Sequence, residues 1–334
     1  KNGRSLPWRQ TTDPFKIWLS EIILQQTRVE QGLPYYERFV EQFADVKSLA
    51  KAKEEKVLKL WQGLGYYSRG RNLHKAAKII SAEFKGVFPK KYKDIRKLPG
   101  IGDYTAAAIA SFAFKLNYPV LDGNVFRFIS RLFGISTPID TPAAKKEFMS
   151  ILNELILGAP PDEFNQSIME FGALHCTPRQ PDCAHCIFKE QCVALSTAGP
   201  TSFPVKSKKT IVRERYFNYL VIKEQKSFYL KQRTSKDIWM NLWEFPMIES
   251  SKPLTTAKIL KEADLLFNLE QAILQPEVKK HRHLLTHQTI HATFFEFKLM
   301  SGIEAPETWK KINGKNSEKY PLPKLIENYL KENK

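Results

Sequence analysis

A chain of 334 residues with 43% hydrophobic content is long enough for two ordinary domains, each with its own core. Its 52 Lys and Arg against 35 Asp and Glu leave a formal net charge of +17, which points to a polyanionic partner: DNA, RNA or an anionic membrane surface. No apolar run reaches the length of a membrane span and no signal peptide opens the chain, so neither a spanning nor a secreted protein is expected. The chain begins at Lys1 rather than Met, as expected of one lacking its first residues.

Residues 13–175 predict a mostly helical region. Helix-spaced apolar positions run over Phe15–Arg28, Tyr35–Phe43, Glu54–Trp61, Arg71–Phe84, Thr105–Phe114 and Val125–Leu132, and a further helix holds Phe164–Leu174. Gln31-Gly32, Gly63-Leu64-Gly65, Pro99-Gly100 and Asp122-Gly123-Asn124 separate them. From Thr197 to Arg215 the period is lost, and Gly199, Pro200, Pro204, Lys206, Lys208 and Lys209 mark a basic linker. Beyond it the period changes to two. Tyr216–Lys223 and Ser227–Arg233 predict a hairpin, Thr289–Leu299 another strand, and Pro321–Lys334 a closing helix. The division is therefore 1–196, all-α; 197–215, linker; and 216–334, a smaller α+β domain. No internal repeat or low-complexity tract is present.

The only four cysteines, Cys176, Cys183, Cys186 and Cys192, fall within one segment, spaced C-x6-C-x2-C-x5-C. Thiols clustered this way, with no partner elsewhere, point to a metal site in a reducing compartment rather than to disulfides. Zinc favours two C-x2-C knuckles and only one pair has that spacing, whereas a [4Fe–4S] cluster tolerates wider gaps. The spacing favours iron–sulfur over zinc.

Four further segments carry chemistry. In Leu98-Pro99-Gly100-Ile101-Gly102-Asp103-Tyr104-Thr105, two glycines between helices expose backbone amides at a helix start, which suits a phosphate oxygen. The run 94–114 thus has the helix-hairpin-helix pattern of non-sequence-specific DNA binding, or is an ordinary connection. Asp122 precedes a helix, so it is either a plain N-cap or a functional carboxylate. Glu21 is flanked by apolar residues, and a carboxyl that loses hydration gains the raised pKa of a general acid; the alternative is a solvated helix Glu. Gln25 and Gln26 are surface amides or a wedge in a base stack. Leu64 and Tyr66, on a Gly-flanked turn, are candidates to enter a base stack, or a packed loop.

Taken together, these segments and the cysteine spacing resemble the MutY-type adenine DNA glycosylases of the helix-hairpin-helix/endonuclease III superfamily. The likeness runs from Leu6-Pro7-Trp8-Arg9 through Cys192 and weakens beyond. The hairpin and cysteines are shared across the superfamily. The run Glu21–Thr27, Tyr104 in place of the lyase relatives' Schiff-base lysine, and the presence of a second domain narrow it. The resemblance implies an enzyme that excises adenine mispaired with 8-oxoguanine, and more weakly with guanine, from double-stranded DNA, holding a [4Fe–4S] cluster on the loop 176–192. Glu21 would protonate the flipped adenine and Asp122 stabilise the cationic sugar, with Tyr104 and Asn124 in support. Trp8, Arg9, Gln26, Thr27, Leu64, Tyr66, Gly100 and Gly102 would meet DNA.

The second domain resembles the family's Nudix-related one, but no full Nudix box occurs between Tyr216 and Lys334, so a lesion reader without pyrophosphatase chemistry is expected. Leu285-Thr286-His287 resembles the loop that contacts 8-oxoguanine, with Leu and Thr where the family has Phe and Ser; the alternative is a plain His-rich strand with His281, His283 and His291. The first domain, with both carboxylates, is expected to fold and act alone. A monomer is expected, cytoplasmic in a bacterium, nuclear or mitochondrial in a eukaryote, with no membrane partner. The rival readings are a pyrimidine or thymine-mismatch glycosylase of the same superfamily, a non-catalytic DNA-binding iron–sulfur protein, and a Nudix hydrolase.

Overall fold

The computed structural model describes residues 3–207, 212–300, 302–303 and 305–333; Lys1, Lys208, Lys209 and Lys334, named above, lie outside the described residues. The first half is helical: α1 (Pro14–Leu24), α2 (Val29–Gln42), α3 (Val46–Lys51), α4 (Glu54–Trp61), α5 (Ser68–Glu83), α6 (Tyr92–Lys97), α7 (Asp103–Phe114), α8 (Gly123–Phe133), α9 (Pro142–Leu155), α10 (Pro161–Leu174) and the one-turn α11 (Val193–Ser196). Several start where the sequence supplies a cap. Asp13 accepts from the Phe15 amide with Pro14 in the first turn, and Thr141 accepts from Ala144 with Pro142 behind it.

Two helix boundaries differ most from the periodic reading. α1 stops at Leu24 rather than Arg28, because Gln26 turns left-handed, with φ 54°. α2 begins at Val29 rather than Tyr35 and runs straight through Gln31-Gly32, the expected separator. Gly32 is there for packing: a Cβ would meet Leu24 Cδ2 at 2.8 Å. Hydrophobic spacing alone could not distinguish a glycine that breaks a helix from one that lets two helices approach.

By packing, the described chain forms two units. One takes residues up to Lys51 together with Asn72 onward to the linker; the other takes Ala52–Arg71 with the residues after the linker. Thus α4, whose Val57, Leu58 and Trp61 are fully buried, groups with the second unit although it lies within 1–196. In the first unit, α7, α8, α9 and α10 close over a core that includes Ala108, Val125, Ile129, Phe148, Leu152 and Ile168.

The second unit is built on one sheet: β1 (Arg213–Glu224), β2 (Ser227–Gln232), β3 (Trp243–Glu244), β4 (Met247–Ser250), β5 (Ala272–Leu274), β6 (Lys279–Leu284), β7 (Gln288–Leu299) and β8 (Trp309–Asn313). β1 and β2 form the expected antiparallel hairpin, with Glu224 opposite Ser227. β1 starts at Arg213, inside the stretch read as linker. The main path runs β3-β2-β1-β7-β5, and β1 pairs with β7 in parallel from Arg213 opposite Gln288 to Lys223 opposite Lys298. A central strand is covered on both faces, so Phe217 and the run Tyr219–Ile222 are all buried, and strict alternation is lost. α12 (Thr256–Asp264) adds Ile259 and Ala263 to a core with Leu220, Ile222 and Phe297; α13 (Lys324–Glu332) closes the chain. No described helix is long and apolar enough to cross a membrane.

Candidate active site

In the first unit one cavity of about 480 Å³ gathers residues a hundred positions apart: Glu21, Tyr104, Asp122 and Asn124, with Trp8, Arg9, Gln26 and Thr27. Glu21, Tyr104 and Asp122 are carried by three different helices. Glu21 lies on α1, which is buried from Leu19 through Ile23, so its carboxyl has nowhere to go but the cavity. Tyr104 stands in the first turn of α7. Asp122 is the N-cap of α8: its Oδ1 accepts from the amides of Asn124 (2.9 Å) and Val125 (2.8 Å), and its Oδ2 from Asn124 Nδ2 (2.8 Å). The capping and functional readings of Asp122 are therefore compatible. The cap is what aims the carboxylate.

Glu21 is 9% exposed. Burial pushes its pKa up to about 7; the Tyr104 hydroxyl, which donates to it, works against the rise, and the Asp122 charge adds to it. Burial and the two neighbouring carboxylates push Tyr104 well above its ordinary value, so it remains a donor. Its hydroxyl also lies 3.9 Å from Met169 Sδ. A carboxyl that holds its proton near neutrality shares this cavity with a second, capped carboxylate.

The sequence reading missed Arg4 and Glu170. Glu170 accepts from the Arg4 amide (2.8 Å), Arg4 Nε (2.9 Å) and Nη2 (2.7 Å), and from Arg9 Nη2 (2.7 Å). Burial alone would raise its pKa, but these donors hold it well below the usual carboxylate range. This clamp lays residues 4–9 over the cavity. Trp8 and Arg9 therefore line it, and Trp8 is buried edge-on to Tyr36 at 5.0 Å. Nothing local signals a pairing across 166 residues.

The hairpin forms as expected. α6 ends at Lys97, Gly100 takes φ 79°, and Gly102 caps α7 without a side chain, leaving its first-turn amides uncapped by side chains. At Gly100 the left-handed backbone favours glycine, and a Cβ would also meet Asn72 Cβ at 2.8 Å.

All four cysteines line a second small cavity, of about 20 Å³, walled by Phe128, Phe171 and Phe188. Burial, then the neighbouring thiols, push Cys183 up. Arg131, 2% exposed, donates Nη1 to Cys176 Sγ (3.3 Å) and to Thr177 O (2.7 Å), and Nη2 to Pro178 O (3.0 Å). On the same helix, Arg127 bridges Asn124 Oδ1 (2.9 Å) and Cys176 O (2.8 Å). His175, beside them, has a buried Nε2 without a hydrogen-bond partner among the described residues. Among those residues no three Cys, His, Asp or Glu side chains meet as a single-ion site. Four soft donors ringing one apolar-walled space, with a guanidinium on one sulfur, fit an anionic thiolate-bound cluster.

The remaining expected residues lie in the second unit. A cavity of about 380 Å³ is lined by Leu64, Tyr66, Arg71, Asp237, Trp239, Thr286 and His287, among others. The Thr286–His287 loop is the turn between β6 and β7, and the Tyr66 and Thr286 hydroxyls hydrogen-bond. Tyr66 is 42% exposed, but Leu64 is only 5% exposed. Leu64 is thus a wall of the cavity, on a turn folded onto Trp61, whose Nε1 donates to Gly65 O at 3.0 Å.

Residues 19–154 match the HhH-GPD superfamily of base excision DNA repair proteins, and residues 218–332 match the NUDIX domain. The adenine DNA glycosylase of Buchnera aphidicola subsp. Schizaphis graminum is 34% identical over 335 residues, covering 98% of this chain and 94% of that protein. A thermostable thymine-DNA glycosylase structure superposes with a TM-score of 0.54 at 29% identity, covering 58% of this chain and 89% of its own. An endonuclease III–DNA complex shares the fold, with a TM-score of 0.50 at 20% identity, over 59% of this chain and 90% of its own.

Proposed function

The chain belongs to the adenine DNA glycosylase family of base excision repair enzymes, and from that premise we propose that it removes adenine mispaired with 8-oxoguanine, and more slowly adenine opposite guanine, from duplex DNA. One observation carries the reading: Glu21, with its pKa raised to about 7, and a capped Asp122 share one cavity. The glycosidic bond is out of reach in a stacked duplex, so adenine must first be extruded into that cavity. Glu21 then gives its proton to N7, and adenine leaves neutral as the C1′–N9 bond breaks. Asp122 stabilises the positive charge left on the sugar, held by Asn124 and the α8 amides. Water adds at C1′, and its proton returns to the Glu21 carboxylate. Tyr104 donates to Glu21 and offers no amine, which supports hydrolysis without strand cleavage.

DNA would be held by the uncapped amides after Gly100 and Gly102, by the net charge of +17 and by the segment around Trp8 and Arg9. The second cavity would receive the base opposite the adenine, with Tyr66 stacking and Thr286 and His287 supplying polar contacts. Cys176, Cys183, Cys186 and Cys192 would hold a [4Fe–4S] cluster that orders the loop bearing Arg179 and Lys189. The enzyme would act as a monomer. The test is a duplex series with adenine opposite 8-oxoguanine, guanine, cytosine and thymine, scored for base loss before and after alkali. Base loss fastest opposite 8-oxoguanine, with nicks only after alkali, is expected. Equal rates on all four, or removal of thymine, would overturn the reading.

A further inference from the structure

The cavity that holds Thr286 and His287 has three walls from distant parts of the chain: Leu64–Arg71, Asp237–Trp239 and Leu284–Gln288. Polar ties join them pairwise. Arg71, 8% exposed, donates Nη1 to Met240 O at 2.7 Å, tying the first wall to the second. Arg215 on β1 ties the second to the third. Its Nη1 and Nη2 grip Asp237 Oδ1 and Oδ2 at 3.1 and 2.6 Å, and the same Nη1 donates to Gln288 Oε1 at 3.0 Å. The Tyr66–Thr286 hydroxyl pair closes the third side. Beneath the middle wall, Arg233 adds contacts to Asp237 Oδ2 (3.0 Å) and Ile238 O (3.1 Å).

The Arg215 side chain is only 5% exposed. Apolar residues would fill such a place at least as well for stability. What a guanidinium adds is direction: a planar fork fixes two acceptors at set distances from each other. We propose that Arg215 and Arg71 are positioning residues that hold the three walls at a fixed separation, so that the cavity is set for one flat base before that base arrives. This rests on the reading of the cavity as the site for the base opposite adenine. 8-Oxoguanine differs from guanine only at C8 and N7, so discrimination depends on one or two polar contacts from the β6–β7 turn. Such contacts weaken steeply with misplacement, and walls free to drift would lose most of the preference.

The experiment is the single-turnover ratio of excision on 8-oxoguanine:adenine over guanine:adenine, with thermal midpoints measured alongside. Arg215→Lys keeps the charge and loses the fork; Gln288→Leu cuts one tie and leaves Arg215 paired with Asp237 and Glu249. Both should lower the ratio roughly tenfold, and Gln288→Glu, which restores an acceptor, should recover it. Should Arg215→Lys fail to fold, the Gln288 pair decides. The doubly substituted Thr286→Val, His287→Ala protein tests the underlying reading. If it leaves the ratio unmoved, the cavity does not meet the opposite base and both ideas fall. If it lowers the ratio while folded Gln288→Leu does not, or Gln288→Glu gives no recovery, the positioning role alone is refuted.

Discussion

Glu21→Gln should abolish excision and, at the same time, stabilise the protein at alkaline pH. Glu21 is held at a pKa of about 7 in the folded chain against an ordinary 4.5, with burial as the main cause. The folded state therefore binds this proton more tightly than the unfolded state. Its contribution to stability is fully present below pH 4.5 and is lost as pH rises through about 7. At about 1.4 kcal/mol per pH unit over that interval, the loss is about 3 kcal/mol. Gln is neutral throughout and keeps an oxygen to accept from Tyr104. Other carboxylates titrate alike in both proteins, so the difference between them isolates Glu21. At roughly 2–4 °C per kcal/mol for a unit of this size, the variant should melt about 6–12 °C above the parent at pH 8 and alongside it near pH 5. Differential scanning fluorimetry across that range measures it. In parallel, the parent's single-turnover rate should be flat below pH 7 and fall tenfold per unit above. Melting curves that stay parallel from pH 5 to 8 would refute the burial argument, and a variant that still excises adenine would refute the acid role.

Other substitutions probe the rest of the site. Asp122→Asn keeps the cap to Asn124 and Val125 but loses the charge, so it should bind mispaired duplex and excise at least a thousandfold more slowly; gel-shift and single-turnover assays separate the two. Tyr104→Lys puts an amine into the cavity, and borohydride should trap a Schiff base with DNA that the parent does not form. Glu170→Gln leaves Arg4 and Arg9 facing a neutral amide, at a cost of about 2 kcal/mol. Because the folded pKa of Glu170 is depressed, that difference should be present above pH 4.5 and vanish on acidification; equal melting at pH 7 would remove the clamp from the account. Cys183→Ser should reduce iron content and the broad absorbance near about 400 nm of a [4Fe–4S] protein, and zinc in place of iron in the anaerobically purified parent would sink the cluster.

Much of the chemistry was legible in the sequence because its signals are short-ranged. The four cysteines span one segment, Gly100 and Gly102 mark the hairpin, Asp122 sits where a helix must be capped, and Glu21 is crowded by its own apolar neighbours. Each rests on residues within a few positions of one another. What lies between distant residues was not legible. Gly32 reads as a break until α1 is seen against it, and the turn of Leu64 reads equally as a base wedge or a packed loop until it is seen folded onto Trp61. The run Ala52–Arg71 reads as part of the first domain, yet by packing it groups with the second unit. The grip of Arg4 and Arg9 on Glu170, and of Arg215 on Asp237 and Gln288, leaves no pattern in composition or period. Ion pairs between remote segments depend on where the core brings the backbones, and tertiary packing alone decides that.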